Sequence, residues 1–107
     1  MKYFMLAAGV LLSSCQGGNG QRFVGRYRGE KHMLEITQGE GNNFEVKTVY
    51  LGTTEINMAT IGHYNSDCQC LKVQDRDRTL EALLIPKENR LVMTYFGSFT
   101  KVEGPEL

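Results

Sequence analysis

Two cysteines separated by one residue, Cys68 and Cys70, have the spacing that most directly allows chemistry in this sequence. In an extended strand, residues i and i+2 share a face with Cα atoms about 6.5–7 Å apart, near the upper limit for a disulfide. A bond therefore requires a bend, which the upstream residues Asn65, Ser66 and Asp67 can supply. The pattern predicts a local disulfide, with an unbridged pair and a redox or metal-binding pair as alternatives.

A metal site would have to combine these thiols with His32, His63, Met33 or Met58. Soft sulfur and nitrogen ligands of this kind suit Cu(I) or Zn. The spacing matches no standard zinc finger, and nothing in the sequence brings a histidine near the cysteines. We therefore expect no metal and no other cofactor, with Cys68, Cys70, His32 and His63 as the candidate ligands if a metal does bind.

Sequence patterns typical of catalysis are missing. The sequence has no Gly-x-Ser-x-Gly elbow, no phosphate-binding glycine loop and no His-Glu-x-x-His. Residues 75–78 alternate acidic and basic side chains, which can neutralise one another within a turn or form a recognition loop. We expect a protein that is not an enzyme.

A third cysteine, Cys15, follows a short apolar segment. Lys2 supplies a positive charge, and residues 4–12 form an apolar run that is too short to span a bilayer but suits a secretory signal. The following Leu12-Ser13-Ser14-Cys15 resembles the lipobox of bacterial lipoproteins. That resemblance implies a diacylglycerol on the Cys15 sulfur and cleavage directly before it. An ordinary cleavable signal, with a cysteine there by chance, is the alternative.

The lipobox resemblance implies a protein of the bacterial cell envelope that is held to a membrane by acyl chains. Each buried CH₂ contributes about 0.8 kcal/mol, so two or three chains hold firmly where one does not. Gln16 directly after Cys15 resembles the pattern of lipoproteins that enteric-type bacteria pass to the outer membrane. This resemblance implies a protein on the outer membrane that faces the periplasm or the cell surface. Export also favours a disulfide, because disulfides persist in oxidising compartments.

The rest of the sequence divides into a tether, one domain and a tail. Residues 1–14 are the predicted signal peptide, and residues 15–21 are the lipidated cysteine and a glycine-rich flexible tether. Residues 22–102 form the predicted domain, and residues 103–107 a C-terminal tail. A chain of 107 residues has room for only one domain.

Alternation with a period of two residues dominates the predicted domain. Leu34 and Ile36, for example, alternate with Glu35 and Thr37, as in a half-buried strand. Glycine- and asparagine-rich turns separate such segments. The sequence therefore predicts an all-β domain, a small antiparallel meander or barrel of about seven to eight short strands after an N-terminal signal helix and the tether.

Some segments leave alternatives open. Residues 55–64 alternate less cleanly, and residues 80–84 have the helix propensity of a single helical turn as well as strand character. Residues 90–96 predict a strong strand. We expect the aromatic side chains to fill the core, since small barrels have little other space, with the lining of a concave interior as the alternative. These side chains are Tyr50, Tyr64, Tyr95, Phe96 and Phe99.

The start of the predicted domain, residues 23–27, resembles the first strand of lipocalin-type and avidin-type barrels. Gly25 and Tyr27 carry this resemblance, and the tryptophan common in those families is missing. The resemblance implies a barrel shape and carries no ligand with it.

Charge and composition narrow the range of partners. The chain carries 12 basic and 12 acidic residues with no basic run, which argues against a nucleic-acid partner. Loss of Lys2 with the signal leaves a net charge of −1, so overall charge does not anchor the protein to anionic lipid. We therefore predict a lipid-anchored envelope protein whose β domain binds another envelope protein in an accessory, inhibitor, immunity or exclusion role. The alternative is a periplasmic lipoprotein that binds a small ligand in an interior pocket or a copper or zinc ion.

Overall fold

The computed structural model of the protein describes residues 20–102. The predicted signal peptide, Cys15, most of the predicted tether and the tail at residues 103–107 lie outside the described residues. The strands are β1 (Gly25–Arg28), β2 (His32–Gln38), β3 (Asn43–Tyr50), β4 (Ile56–Asn65), β5 (Cys70–Asp75), β6 (Arg78–Ile85), β7 (Arg90–Met93) and β8 (Gly97–Val102). A short 3₁₀ turn (Pro86–Glu88) joins β6 to β7.

The eight strands form one closed barrel in which every strand pairs antiparallel with its neighbours in the chain. β1 also pairs with β8, where Arg26 faces Val102, so the sheet closes. Short turns favour antiparallel pairing of consecutive strands, and closure removes the exposed edges of the sheet. The predicted all-β fold with seven to eight strands is confirmed, and it is a barrel rather than an open meander.

Inward-facing side chains fill the barrel. They alternate with outward-facing residues, as the sequence predicts for Leu34 and Ile36. The outward-facing positions include exposed apolar side chains, such as Ile61 on β4 and Leu83 on β6. An eight-stranded barrel is just wide enough for side chains to fill its interior. This interior is where the alternative function predicts a small ligand, and side chains occupy it. They are Phe23, Tyr27, Leu34, Ile36, Phe44, Val46, Leu71, Val73, Leu80, Ala82, Leu91, Met93 and Phe99.

The packed part of the chain begins earlier than the predicted domain. Gly20 and Gln21 lie in a helical turn, and the Phe23 amide donates a hydrogen bond to the Gly20 carbonyl at 3.0 Å. Gly20 is buried, and a Cβ there would lie 2.8 Å from the Phe44 ring. Gly20, within the predicted tether, therefore packs on the barrel, while Gln21 is exposed.

Two further segments refine the sequence prediction. Residues 80–84 are strand, and the helical turn follows them at Pro86–Glu88. β7 ends at Met93, three residues before the end of the predicted strand, because residues 94–96 form a turn. The Phe96 amide closes this turn on the Met93 carbonyl at 3.1 Å.

The up-and-down order gives the barrel two distinct ends. The turns after β1, β3, β5 and β7 meet at one end, called here the cleft end. The chain enters and leaves at the other, the N-terminal end, where the turns after β2, β4 and β6 also lie. Among residues 20–102, no helix has the length and apolar character needed to cross a membrane.

Candidate functional site

A cleft of about 460 Å³ lies at the cleft end of the barrel. It draws its walls from the β1–β2 turn, the facing ends of β3, β4 and β6, and the β7–β8 turn. This cleft is called here the rim cleft. Six of the side chains that line it are His32, Tyr50, Asn57, Arg78, Tyr95 and Phe96.

A β-bulge in β4 places Asn57 in the rim cleft. Thr48 pairs with Met58 and Val49 pairs with Ile56, so Asn57 is the extra residue of the bulge. Bulges occur often at barrel rims, where they re-aim a side chain. The less clean alternation of residues 55–64 is the trace of this bulge in the sequence.

Asn57 holds the Tyr50 ring in place and connects it to the core. The Tyr50 hydroxyl donates to Asn57 Oδ1 at 2.7 Å, and Asn57 Nδ2 donates to the buried Thr48 Oγ1 at 3.3 Å. A buried hydroxyl without a partner costs about 1–3 kcal/mol, so this amide also satisfies a polar group inside the barrel. The three side chains form one chain of hydrogen bonds from interior to rim.

Aromatic rings pack against one another across the rim cleft. The His32 ring lies 4.9 Å from the Tyr50 ring and 5.3 Å from the Phe96 ring, centroid to centroid. The Phe96 ring lies 6.4 Å from that of Phe99, which is 2% exposed and belongs to the core. Edge-to-face and tilted pairs at these separations are favourable, so the rim is continuous with the rigid interior.

Arg78 and Tyr95 form the opposite wall. The Arg78 Cζ atom lies 4.0 Å from the centroid of the Tyr95 ring. The Arg78 guanidinium also donates two hydrogen bonds to Asp75 Oδ2, at 3.0 and 3.2 Å. The alternating charges of residues 75–78 thus do neutralise one another in part, and Arg78 presents its other face to an aromatic ring.

Tyr95 adopts a backbone conformation that tyrosine rarely takes. Its φ is 71°, in the left-handed region where a Cβ is strained, and its side chain is 72% exposed. Hydrogen bonds hold the turn to β6. The Thr94 amide donates to the Glu81 carbonyl, and the Glu81 amide donates to the Thr94 hydroxyl. Glycine would suit this backbone better, and the core does not need the ring.

The prediction that the aromatic residues fill the core holds only in part. Phe99 is buried, and Tyr64 and Phe96 pack against the core while remaining partly accessible. Tyr50 is 39% exposed and Tyr95 72% exposed, at the rim. Inward-facing residues at a strand end reach the mouth of a barrel rather than its interior, which alternation alone does not reveal.

His32 is half-buried and surrounded by rings rather than acids. Burial, together with the neighbouring Lys31 charge, lowers the pKa of His32 from its ordinary value of 6.5. Within residues 20–102, no hydrogen bond joins His32 to a carboxylate. The imidazole packs at a tilt against the Tyr50 ring and edge-on against the Phe96 ring, and so adds a third ring to the surface of the cleft.

Cys68 and Cys70 lie at the N-terminal end, with their sulfur atoms at disulfide distance, 1.97 Å. Their Cα atoms are 5.2 Å apart, closer than in an extended strand. The bend comes from Gln69, whose φ is 54°, and from Asn65, whose Oδ1 accepts the Asp67 and Cys68 amides at 2.9 and 3.2 Å. The predicted upstream bend is present and is completed by the residue between the cysteines.

The candidate metal ligands do not converge. His32 lies at the cleft end, at the opposite end of the barrel from the bonded cysteines, and His63 is exposed on β4. In the part of the chain that the structure describes, no three His, Cys, Asp or Glu side chains are grouped to hold a metal ion.

A second, wider groove lies on the outer face of β1, β2 and β3, with a volume of about 890 Å³. Its floor includes Met33, Val49 and Ile56, and the β3–β4 loop overhangs it. The Lys47–Glu35 ion pair, at 3.4 Å, crosses it. Both partners of this pair are well exposed, so it contributes little to stability.

No protein-family model, curated protein or solved structure matches this chain. Function is therefore inferred from the geometry of the barrel.

Proposed function

We propose that this protein is a lipid-anchored, non-catalytic binding module of the bacterial envelope, which engages another envelope protein through its rim cleft. The observation that carries the proposal is Tyr95, a highly exposed ring held at φ 71° beside Arg78. Strained backbone and exposed aromatic side chains persist where they serve recognition. Tyrosine and arginine are also the residues most enriched at the energetic centres of protein interfaces.

The barrel suits such a role mechanically. The rings of His32, Tyr50 and Phe96 rest on the core, so little side-chain freedom remains to be lost when a partner binds. The anchoring cysteine precedes the N-terminal end, so the rim cleft is presented at the far end of the domain. Tethering to one membrane raises the effective concentration of the module near other envelope components.

Site-specific photo-crosslinking in the native cells tests this proposal. A benzoyl-phenylalanine replaces Glu30, which is exposed beside the cleft, and in a matched control it replaces Ile61, 43% exposed on the barrel side. We expect one protein adduct of defined mass from position 30 and none from position 61. Equal yields from both positions, or no adduct at either, would reject the rim cleft as the partner site.

A small ligand in the rim cleft is a second candidate, favoured by the cleft's volume of about 460 Å³. Ligand sites typically measure about 300–1,000 Å³ and combine apolar walls with a few polar groups. Asn57 and Arg78 are such groups here, between the rings. Native mass spectrometry of the gently extracted protein would then show one bound small molecule, lost on Phe96→Ala and retained on Ile61→Ala.

A further inference from the structure

Charge is distributed unevenly around the N-terminal end of the barrel. The turns after β2 and β4 carry Glu40 and Asp67 and no basic residue. The neighbouring turn after β6 carries Lys87 and Glu88, and Glu88 is paired with Arg90. Beside this turn, the segment before β1 carries Arg22 and the end of β8 carries Lys101. The small net charge of the protein hides this local cationic corner.

The described residues give the three cations of this corner no acidic partner. Among residues 20–102, none of Arg22, Lys87 and Lys101 forms an ion pair with a carboxylate, whereas the nearby Arg90 is paired with Glu88. The Lys101 stem passes over Gly25, where an added Cβ would lie 2.9 Å from Lys101 Cε, and the Lys101 ammonium lies 5.9 Å from the centroid of the Tyr27 ring.

Arg22 and Lys101 line one groove of about 330 Å³, together with Leu84, Pro86 and Asn89. The groove therefore offers two cationic donors beside apolar side chains. A guanidinium and an ammonium are the usual partners of phosphate, and Leu84 and Pro86 can contact the glycerol and upper acyl carbons. An anionic phospholipid headgroup combines these chemistries.

The position of the groove brings it to a bilayer once the chain is anchored. Cys15 lies five residues before Gly20, so the two are separated by at most about 17 Å of extended chain. Surface charge acts over a Debye length of about 10 Å at moderate salt. A sulfur acylated at Cys15 thus holds the cationic corner within the reach of the headgroups.

We infer that the cationic corner binds the phosphate of anionic glycerophospholipid headgroups and so sets the orientation of the anchored barrel. This rests on the proposed anchoring at Cys15. Acyl chains alone hold the protein at the membrane and leave the barrel free to tilt. The headgroup contact adds an orientation that points the rim cleft away from the bilayer.

Amine footprinting of the processed lipoprotein tests this inference. The protein is reconstituted in vesicles of phosphatidylcholine alone or mixed with phosphatidylglycerol, its lysines are acetylated, and rates are read by mass spectrometry. We expect Lys101 and Lys87 to react at least about fivefold more slowly on the anionic vesicles, because each bound cation gains about that factor in affinity. Lys31, at the cleft end, should react equally on both, and high salt should abolish the protection.

Two variants with the same charge change sharpen this test. Arg22→Gln should reduce the protection of Lys101, while Arg76→Gln, in the exposed β5–β6 turn at the cleft end, should leave it unchanged. Equal protection of Lys101 on both vesicles and in detergent would mean that the chain itself covers the ammonium, and would overturn the inference.

The intact mass of the protein distinguishes a failure of the proposed anchor from a failure of the headgroup site alone. A mature chain without added acyl mass refutes the anchor, and the headgroup site with it. An acylated chain whose Lys101 reacts as fast as Lys31 on anionic vesicles refutes the headgroup site alone.

Discussion

Replacing Tyr95 by glycine separates partner binding from stability. Glycine relieves a left-handed backbone at φ 71°, a gain of about 1–2 kcal/mol, and costs about 0.5–1 kcal/mol in backbone entropy. The lost contact with Arg78, 4.0 Å from the ring, offsets a further part of this gain. These terms nearly cancel, so the free energy of unfolding should change by less than about 1 kcal/mol.

The effect on partner binding should be much larger. An exposed tyrosine at the centre of an interface contributes about 2 kcal/mol or more, which corresponds to roughly 30-fold in affinity. We therefore expect Tyr95→Gly to unfold in urea at nearly the wild-type midpoint while the cross-link from position 30 is largely lost. Tyr95→Phe keeps the ring and should retain most of the cross-link.

Ile61→Gly, on the barrel side, serves as the matched control for loss of an exposed apolar side chain. It should leave the cross-link unchanged, although glycine within a strand lowers stability. Undiminished cross-linking by a stably folded Tyr95→Gly would refute the role given to this ring. A destabilisation well above about 2 kcal/mol would instead show that the turn depends on the ring for folding.

Three further predictions concern the barrel itself. Gly29→Ala should lower the free energy of unfolding by about 1–3 kcal/mol in urea, because its Cβ would lie 2.7 Å from the Phe99 ring. Tyr27 donates a buried hydrogen bond to the Phe23 carbonyl at 2.7 Å, and burial raises the pKa of Tyr27 to about 12. Stability contributed by this group is complete below pH 10 and should be lost as pH rises towards 12, a decline that Tyr27→Phe removes. The pKa of His32 is lowered, so the pH dependence has the opposite sign. The stability that neutral His32 contributes is complete above pH 6.5 and should fall as the pH is lowered. Thermal unfolding at several pH values should show this decline in the wild type and a smaller one in His32→Gln.

Local sequence was sufficient for the strands and their inward faces. Leu34, Ile36, Phe44 and Val46 alternate with polar residues, and each is buried where that alternation places it. It was insufficient where strands end. The apolar run that predicts a strand over residues 90–96 breaks at Met93, because hydrogen bonds from Thr94 to Glu81 impose a turn from a neighbouring strand.

The residues of the rim cleft are even less predictable from the local sequence than the strand ends are. The sequence does not predict the role of Asn57, since one extra residue in a strand pairing shows in the sequence only as imperfect alternation. The sequence predicts Tyr50 and Tyr95 in the core, because an aromatic side chain in a strand-like run has the same pattern whether it is buried or at a rim.

The predicted lipidation of Cys15 rests on the sequence alone, because enzymes read a lipidation signal as a local motif that needs no fold. The strands of the barrel also follow from the local sequence, since period-two alternation and turn residues depend only on residues that are close together in the chain. The meeting of His32, Tyr50, Arg78 and Tyr95 at one end, and of Arg22 and Lys101 at the other, was decided by the closure of β1 on β8. Closure sets register and curvature through contacts between distant segments, and no local pattern records those contacts.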